Sequence, residues 1–464
     1  MKLRAFADKA SGLLLCAMTV LVICNEWGVA KWSEPLKPVL VLSLVAILTS
    51  QVRLSRKAFV LVGLILSVAL AVTNRDWLDI VIKGLSTAAF IGAFFSALST
   101  LRTVAQTSPA IQRAGTFLAE QKPGRRYAAL TLGGQAFALL LNYGSIQLLG
   151  TLAMTNAKTE PDAEIRGHRI RRMLLAIQRG FVSSLPWSPL SFAMAISISV
   201  IPNTTWTQVL VPGLMTAFIL AGIGWGLDTV FKPHLTVTPV RTEPTGTWST
   251  MLPLLALLTV LVVGVVSLHE VSDARIVGLV AVLVPSIALV WMLIQHWSDA
   301  PFASTGAQIK NYVLVELPGY RGELVLLMMA GYIGTVGSQL LGPLMLKAGL
   351  DLSTVPPWII LVAFVWIIPL AGQIGMNPIL AVTLIAPLIP DAASLGVQPT
   401  ALVVALTAGW ALSGASSPFT ATTLLIGSFA GISALRVGLL WNGAYTLICG
   451  VALSVWVLIY AFVI

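Results

Sequence analysis

The stretch Gly414–Gly427 reads GASSPFTATTLLIG and places several hydroxyl residues around a proline, inside a run that is otherwise apolar. Pro418 lacks a backbone N–H and clashes with the preceding turn, so a helix here must kink or break and leave polar backbone groups exposed. Two interpretations follow. Either the hydroxyls bond back to a merely kinked helix, or an interrupted helix lines a polar site.

Composition identifies the environment of this stretch. The chain has 464 residues, of which 57% are hydrophobic and 10% are charged, and its mean hydropathy is +0.90. Apolar runs recur from Leu13 to Ile464 with no long polar block between them, which indicates one polytopic, all-α integral membrane protein in a lipid bilayer. The net charge of +10 lies mainly in short loops. It therefore indicates membrane topology and gives no reason to expect a nucleic-acid partner.

The apolar runs predict about 11 transmembrane helices and two re-entrant hairpins. The hairpins, 127–156 and 357–390, are interrupted at LNYGSIQ and GQIGMNP. Each half is shorter than the roughly 20 residues that a membrane-spanning helix needs. The predicted spans are 12–30, 36–50, 58–73, 78–100, 173–201, 207–231, 249–268, 276–296, 323–345, 400–428 and 434–462.

Basic residues support this topology. With the N-terminus in the cytoplasm and each hairpin entering and leaving on one side, 21 Lys and Arg residues fall on the inner side and five on the outer side. That asymmetry is the positive-inside bias of membrane proteins. Counting either hairpin as a full span would place basic loops outside. We therefore expect a multi-pass protein of a bacterial cytoplasmic (inner) membrane, with the first helix retained.

The opening stretch has a counterpart earlier in the chain. WSPLSFAMAISIS at Trp187–Ser199 matches SSPFTATTLLIGS at Ser416–Ser428, which pairs Ser188 with Ser417 at an offset of 229. The hairpin tips pair at an offset of 231, and FIGAFFSAL at 90–98 resembles YIGTVGSQL at 332–340 at 242. Three matches in one order indicate an internal duplication, and the topology gives the copies opposite orientations.

The duplication predicts a domain organisation within one transmembrane region. An extra N-terminal helix (1–35) precedes the first inverted repeat (36–232). A cytoplasmic linker (233–248) leads to the second inverted repeat (249–464). Inverted repeats with discontinuous helices are typical of secondary transporters, whose sites lie near the bilayer midplane.

Long spans, an amphipathic segment such as TSPAIQRAGTFLAEQKPGRR, a hairpin with a small polar tip and a Ser/Thr/Pro broken helix, all repeated, resemble the ion transporter superfamily. Its members include divalent-anion:sodium symporters, citrate permeases and arsenite permeases. The resemblance implies secondary transport of a small, anionic solute, with sodium or protons as candidate coupling ions and a homodimer as the assembly. The Ser-Asn-Thr tips typical of its symporters are replaced here by Asn-Tyr-Gly-Ser and Gly-Met-Asn-Pro. By position, the resemblance nominates these substrate- or ion-binding residues: Asn142, Gly144, Ser145, Ser188, Ser191, Gly375, Asn377, Ser417 and Thr420.

Specific chemistry is expected at these positions. Hydroxyls beside freed carbonyls suit a sodium ion, while the N-termini of the resumed half-helices suit an anion. Gly144 and Gly375 are expected to make the sharp turns of the tips. Arg179 lies within a predicted span and is expected either to contact the anion or to extend towards the inner interface.

Other features narrow the class of protein. No carboxylate lies in either broken-helix loop, and the His and Cys residues have no ligand spacing, so we expect no catalytic residue, no resident metal and no cofactor. The alternative function is a polytopic membrane enzyme acting on lipid-linked substrates, of the polymerase or ligase class. Such enzymes need a sizeable outer loop with catalytic groups, whereas the predicted outer loops, such as PNTTW, are very short.

Overall fold

The computed structural model describes residues 2–29, 32, 34–233, 246–272, 275–298, 300–349 and 352–464. These residues form helices joined by short segments, and no strand occurs among them. The all-α membrane fold predicted from composition is confirmed. The predicted linker 233–248 lies mostly outside the described residues.

The first half of the chain contributes ten helices. They are α1 Lys2–Glu26, α2 Leu36–Gln51, α3 Leu54–Thr73, α4 Trp77–Thr107, α5 Pro109–Ala119, α6 Pro123–Leu141, α7 Gly144–Ala157, α8 Ala163–Ser184, α9 Phe192–Val200 and α10 Trp206–Val230.

The second half contributes α11 Leu252–Val271, α12 Ile276–Gln295, α13 Pro301–Asn311, α14 Leu317–Gly319, α15 Arg321–Lys347, α16 Pro357–Gln373, α17 Pro378–Ile385, α18 Pro399–Ser416, α19 Ala421–Ala430 and α20 Gly443–Phe462. Two π-helical segments, Tyr312–Glu316 and Arg436–Trp441, precede α14 and α20. Short 3₁₀ turns cover Trp248–Met251, Leu352–Thr354 and Ala386–Leu388.

Within the described ranges, nine helical segments are long and apolar enough to cross a membrane when α18 and α19 are counted together, against the eleven spans predicted. One predicted span, 36–50, corresponds to α2, which has only 16 residues. The other, 173–201, is divided between α8 and α9. The predicted hairpin 127–156 comprises the shorter helices α6 and α7, which pack together. The predicted hairpin 357–390 comprises α16 and α17, and its re-entrant path stays a prediction.

The chain folds into two compact units, and each draws segments from both halves of the sequence. The first unit comprises 1–104, 263–354 and 379–390, and the second comprises 105–262, 355–378 and 391–464. All ten nominated site residues belong to the second unit. The boundaries of the two inverted repeats stay a prediction.

Aromatic hydroxyls join helices within the first unit. The Tyr312 hydroxyl, at the start of a π-helical segment, donates to the Ser96 carbonyl of α4 at 2.5 Å. The Tyr332 hydroxyl of α15 lies 2.5 Å from the Ser67 hydroxyl of α3. These hydroxyls therefore join the π-helical segment to α4 and join α15 to α3.

Two matched glycines set the helix crossings of the second unit. A Cβ added to Gly180 in α8 would lie 2.5 Å from the Thr131 carbonyl oxygen of α6. A Cβ added to Gly409 in α18 would lie 2.2 Å from the Phe364 carbonyl oxygen of α16. Gly180 and Gly409 are separated by the same offset of 229 as the Ser-Pro motifs. In both copies, the missing side chain lets the first hairpin arm pack directly on the broken helix.

Ion pairs fix the polar beginning of α8. The Arg172 guanidinium donates two hydrogen bonds to the Asp228 carboxylate of α10, at 2.8 and 2.6 Å. These bonds raise the pKa of Arg172 above its ordinary value. One turn earlier, the buried Arg169 pairs with Glu160 at 2.8 Å. These ion pairs lie in the N-terminal half of α8, and the rest of the helix, from Met173 to Ser184, is buried.

Candidate functional site

The first helix break lies between α8 and α9. The Ser188 N–H donates to the Ser184 carbonyl at 3.0 Å. The Ser188 hydroxyl oxygen accepts from the Leu190 N–H at 3.2 Å. Both the N–H and the hydroxyl of Ser191 donate to the Ser188 carbonyl, at 3.1 and 3.0 Å. Ser191 then caps α9 by accepting from the Met194 N–H at 3.1 Å.

The second break, between α18 and α19, repeats four of these hydrogen bonds but not the side-chain cap, since the Thr420 side chain accepts from no backbone N–H of the described helix α19. The Ser417 N–H donates to the Ser413 carbonyl at 2.9 Å, and the Ser417 hydroxyl accepts from the Phe419 N–H at 3.2 Å. The N–H and hydroxyl of Thr420 donate to the Ser417 carbonyl, at 3.4 and 2.9 Å. Every partner is displaced by 229 residues from its equivalent. The internal duplication therefore extends to the hydrogen bonds of the breaks.

These features are breaks and not kinks. Ser417 and Thr420 have extended backbone angles, with ψ of 127° and 149°. Ser191 likewise has ψ of 140°. The hydroxyls do bond back to backbone carbonyls, as the kink interpretation expected, but the helices on either side are separate.

Each proline removes the donor that would have satisfied a carbonyl four residues earlier. Pro189 thereby frees the Leu185 carbonyl, which accepts instead from the Ser191 hydroxyl at 2.8 Å. Pro418 likewise frees the Gly414 carbonyl, which accepts instead from the Thr422 hydroxyl. The hydroxyl residues of the motif thus replace backbone donors at membrane depth.

Asn142 makes the turn of the first hairpin tip. It has φ of +48° and ψ of −129°, a region that residues other than glycine rarely occupy. Ser145 supports it, because its hydroxyl donates to the Asn142 carbonyl at 2.7 Å. Gly144 begins α7 and is buried. The prediction that Gly144 makes this turn is wrong, since asparagine can also adopt a positive φ.

Gly375 makes the turn of the second tip, as predicted. Its φ is +92°. The Gly375 N–H donates to the Gly372 carbonyl at 3.3 Å, and the Met376 N–H donates to the Ala371 carbonyl at 3.1 Å. This is the Schellman pattern of a helix C-terminus. Asn377 follows it and is partly exposed, immediately before α17.

A small cavity joins the first tip to the first break. Its volume is about 10 Å³, close to the space that one water molecule needs. The Tyr143 and Phe181 rings in its wall stack with centroids 5.1 Å apart. Polar and apolar side chains share the lining: Ala138, Asn142, Tyr143, Phe181, Ser184, Leu185, Ser188, Leu190, Ser191, Phe192, Ala193 and Trp410. Nominated residues Asn142, Ser188 and Ser191 are thus brought together.

The second tip contacts the second break in the same way. The buried Ser417 hydroxyl donates to the Gly372 carbonyl at 2.6 Å. The Gln373 amide donates to the Ser416 hydroxyl at 3.4 Å. The hydroxyl of Ser413 is also buried here and has no hydrogen-bond partner within the described part of the chain. It offers a free oxygen ligand beside Ser417.

The two broken helices meet just before their breaks. A Cβ added to Gly414 in α18 would lie 3.0 Å from Cγ1 of Val182 and 3.7 Å from Cδ1 of Leu185, both at the end of α8. The small residue therefore lets the two helix ends approach. Residues 229 positions apart in the sequence contribute to one region of the second unit.

Arg179 is buried in the core of the second unit. Its guanidinium donates to the Asn442 side-chain oxygen at 3.1 Å and to the Tyr127 hydroxyl at 3.0 Å. Its Cζ lies 4.4 Å above the Tyr445 ring. Arg179 is 5% exposed, so the expectation that it extends to the interface is wrong. It is also not part of the cavity wall.

Sequence reasoning missed several residues of this region. Ser184 and Ser413 are paired at the offset of 229, and so are the bulky aromatics Phe181 and Trp410. Extending the alignment of the repeats by a few residues would have found all four. Gln178 of α8, whose amide lies 3.4 Å from the Gly414 and Ala415 carbonyl oxygens, has no such signal, because these are tertiary contacts.

No protein-family model matches the sequence, and no curated protein sequence matches it either. Among solved structures, the fold is similar to that of the YdaH transporter of Alcanivorax borkumensis. The TM-score is 0.56 and the identity 17%, over 87% of this chain and 98% of that chain. MtrF of Neisseria gonorrhoeae, described as illuminating a class of antimetabolite efflux pumps, matches with a TM-score of 0.46 and 14% identity, over 91% and 98%.

The similarity to YdaH shows a shared fold over nearly the whole of that chain. It supports the expected fold class of a multi-pass membrane protein. Membership of the ion transporter superfamily stays a prediction.

Proposed function

We propose that this protein is a secondary active transporter of a small, anionic solute in a cell membrane. Solute and coupling ion bind around the two helix breaks and the two hairpin tips of the second unit. The observation that carries this proposal is the repeated break, in which the hydroxyls of Ser188 and Ser417 each accept from the N–H two residues later. One break alone could be a local irregularity, but a duplicated break is a feature of transport sites.

The chemistry of the breaks supports a coupling cation. Serine and threonine hydroxyls and backbone carbonyls supply neutral oxygen ligands, which suit sodium. The cavity at the first break has room for about one water-sized particle. The unpartnered Ser413 hydroxyl offers a further oxygen at the second break.

The beginnings of the resumed half-helices support an anionic solute. Helices α9 and α19 start at the breaks, and helix N-termini carry partial positive charge and unpaired N–H groups. Cation ligands and anion-binding helix ends therefore occur in each break. The similarity in fold to the YdaH transporter agrees with this proposal.

Uptake into liposomes tests the proposal. The purified full-length protein is reconstituted and offered labelled succinate, citrate, gluconate or arsenite, with an inward sodium gradient, a proton gradient or neither. We expect gradient-dependent accumulation of at least one of these anions. The double variant Ser188→Ala/Ser417→Ala should insert normally but lose at least nine-tenths of the uptake, because both breaks lose an oxygen ligand. Thr407→Val is the matched control, since the buried Thr407 hydroxyl bonds only within α18.

Two results would contradict the proposal. One is uptake by the double variant equal to that of the unaltered protein. The other is the absence of gradient-driven uptake together with turnover of a lipid-linked sugar by the same preparation, which would favour the membrane-enzyme alternative.

A further inference from the structure

The second break receives a donor from elsewhere in the fold in addition to its own hydroxyls. Pro418 leaves the Gly414 carbonyl without its helical donor, and the Thr422 hydroxyl of α19 donates to that carbonyl instead. The Phe419 N–H, which would serve the Ala415 carbonyl in a continuous helix, bonds to the Ser417 hydroxyl instead. The Gln178 amide of α8 lies 3.4 Å from both carbonyl oxygens and supplies the donor that the Ala415 carbonyl lost.

Gln178 is itself held by a chain of side chains. The Asn442 amide nitrogen donates to the Gln178 side-chain oxygen at 3.0 Å. The Asn442 side-chain oxygen accepts from the Arg179 Nε at 3.1 Å. All of these groups are buried in the second unit.

The direction of this chain is fixed by its two ends. Arg179 can only donate, so Asn442 must turn its oxygen towards the guanidinium and its NH₂ towards Gln178. The carbonyls of Gly414 and Ala415 can only accept, so Gln178 must turn its NH₂ towards them. Each donor is polarised by the one before it, beginning with a formal positive charge.

A local irregularity places Asn442 in this chain. The π-helical segment Arg436–Trp441 ends at Asn442, whose N–H donates to the Val437 carbonyl at 3.1 Å. Gly438 allows the segment to approach α18, since a Cβ there would collide with the Ser416 carbonyl oxygen, 2.0 Å away. π-Segments of this kind are often found at functional sites.

Arg179 has only neutral partners in this arrangement. Its acceptors are Asn442, Tyr127 and two backbone carbonyls, those of Gly224 and Trp441. No carboxylate forms an ion pair with it among the residues that the structure describes. No carboxylate of the described residues therefore neutralises the positive charge. The charge polarises the hydrogen-bond chain that leads to the carbonyl end of α18, where the helix dipole is negative.

The first break receives no such amide among the described residues. Its freed Leu185 carbonyl accepts from the hydroxyl of Ser191, just as the freed Gly414 carbonyl accepts from the hydroxyl of Thr422. The two breaks are thus alike in using a nearby hydroxyl, and the second break adds the Gln178 amide from α8.

We propose that Arg179, Asn442 and Gln178 are positioning residues, which hold the second helix break in shape through a directed hydrogen-bond chain. They do so without touching the solute. The consequence for binding rests on the proposed function, because it assumes that the Ser417 loop belongs to the transport site.

Hydrogen exchange measured by mass spectrometry tests the positioning role in the full-length protein in detergent. Gln178→Met keeps the length of the side chain and removes both donated bonds. We expect amides in 417–424 to exchange about tenfold faster, in line with the loss of one net hydrogen bond. Peptides covering 185–196 should be unchanged. Gln121→Met is the matched control, since Gln121 is also buried and donates to the carbonyl of Phe117, four residues earlier.

A second variant breaks the same hydrogen-bond chain at another residue, in case Gln178→Met disturbs the fold. Asn442→Asp is nearly isosteric and gains an ion pair with Arg179, but it can no longer donate to Gln178. It should accelerate exchange in 417–424 as Gln178→Met does. Unchanged exchange there in both variants would overturn the inference, and so would equal acceleration by Gln121→Met.

Uptake separates this inference from the proposed function. In the liposome assay, Gln178→Met should raise the half-saturating concentration of the transported anion about tenfold, with a smaller change in maximal rate. If exchange responds but the unaltered protein transports nothing, the positioning role stands and the proposed function fails. If the unaltered protein transports but exchange does not respond, the proposed function stands and the inference fails.

Discussion

The glycine crossings offer a quantitative test of the duplicated core. In the substitution Gly409→Ala, the new Cβ would lie 2.2 Å from the Phe364 carbonyl oxygen, and in Gly180→Ala it would lie 2.5 Å from the Thr131 oxygen. Ordinary contact begins at 3.4 Å. The hairpin arms would therefore have to move by about 1 Å, and because the obstacle is backbone, no side-chain rotation can relieve it.

Overpacking of this kind destabilises by about 1–3 kcal/mol. We expect each variant to lower the thermal unfolding temperature of the purified protein in detergent, and Gly409→Ala to lower it more. Since the arm carries a hairpin tip, uptake should fall as well. Gly222→Ala is the control: Gly222 lies in α10 with nothing within 4 Å of its added Cβ, so alanine should leave the temperature unchanged or raise it.

Unfolding temperatures in Gly180→Ala and Gly409→Ala that match the control would refute the close crossing. A large loss for one glycine and none for the other would show that the two halves of the core are not equivalent.

Three further outcomes are expected. Asn142→Gly should relieve the strain of the positive φ, so the free energy of unfolding should stay the same or rise by up to about 1 kcal/mol. Uptake should nevertheless fall, because the side-chain amide is lost. Unchanged uptake would remove Asn142 from the site. Gly375→Ala should lower the free energy of unfolding by about 1–2 kcal/mol, because alanine is strained at a φ of +92°. Crowding is not the cause, since the nearest side-chain atom is 3.8 Å from the added Cβ. An unchanged unfolding temperature would contradict this. Asp228→Asn should lower the unfolding temperature more than the double variant Arg172→Met/Asp228→Leu does. The single substitution leaves the Arg172 charge of a largely buried pair unmatched, whereas the double variant removes both charges. The reverse order would show that the pair is effectively solvated.

Much of the fold could be predicted from sequence, because membrane burial acts on composition. Apolar run length located the helices, and the two Ser-Pro motifs located both breaks, at Ser188 and Ser417, to within a few residues. Two predicted spans are not single long helices. The span 36–50 is α2, which has only 16 residues, and the span 173–201 is divided at its Ser-Pro motif, where the motif predicts a break.

The candidate site was less predictable, because its geometry depends on tertiary contacts. The first tip turns at Asn142 and not at Gly144, since asparagine tolerates a conformation usually assigned to glycine. Arg179 is buried by aromatic and amide partners from distant helices, so no local pattern reveals its surroundings. Gln178 reaches a carbonyl 236 positions away, and one sequence alone carries no sign of that pairing.

The central claim is that the two helix breaks form one binding site, and a double-mutant cycle tests it most directly. Half-saturating concentrations for uptake of the transported anion are measured for Ser188→Ala, Ser417→Ala, the double variant and the unaltered protein. If the breaks share one site, the effects are not additive and the coupling energy is at least about 0.5 kcal/mol. Strictly additive effects, or a half-saturating concentration that neither substitution changes, would contradict a shared site.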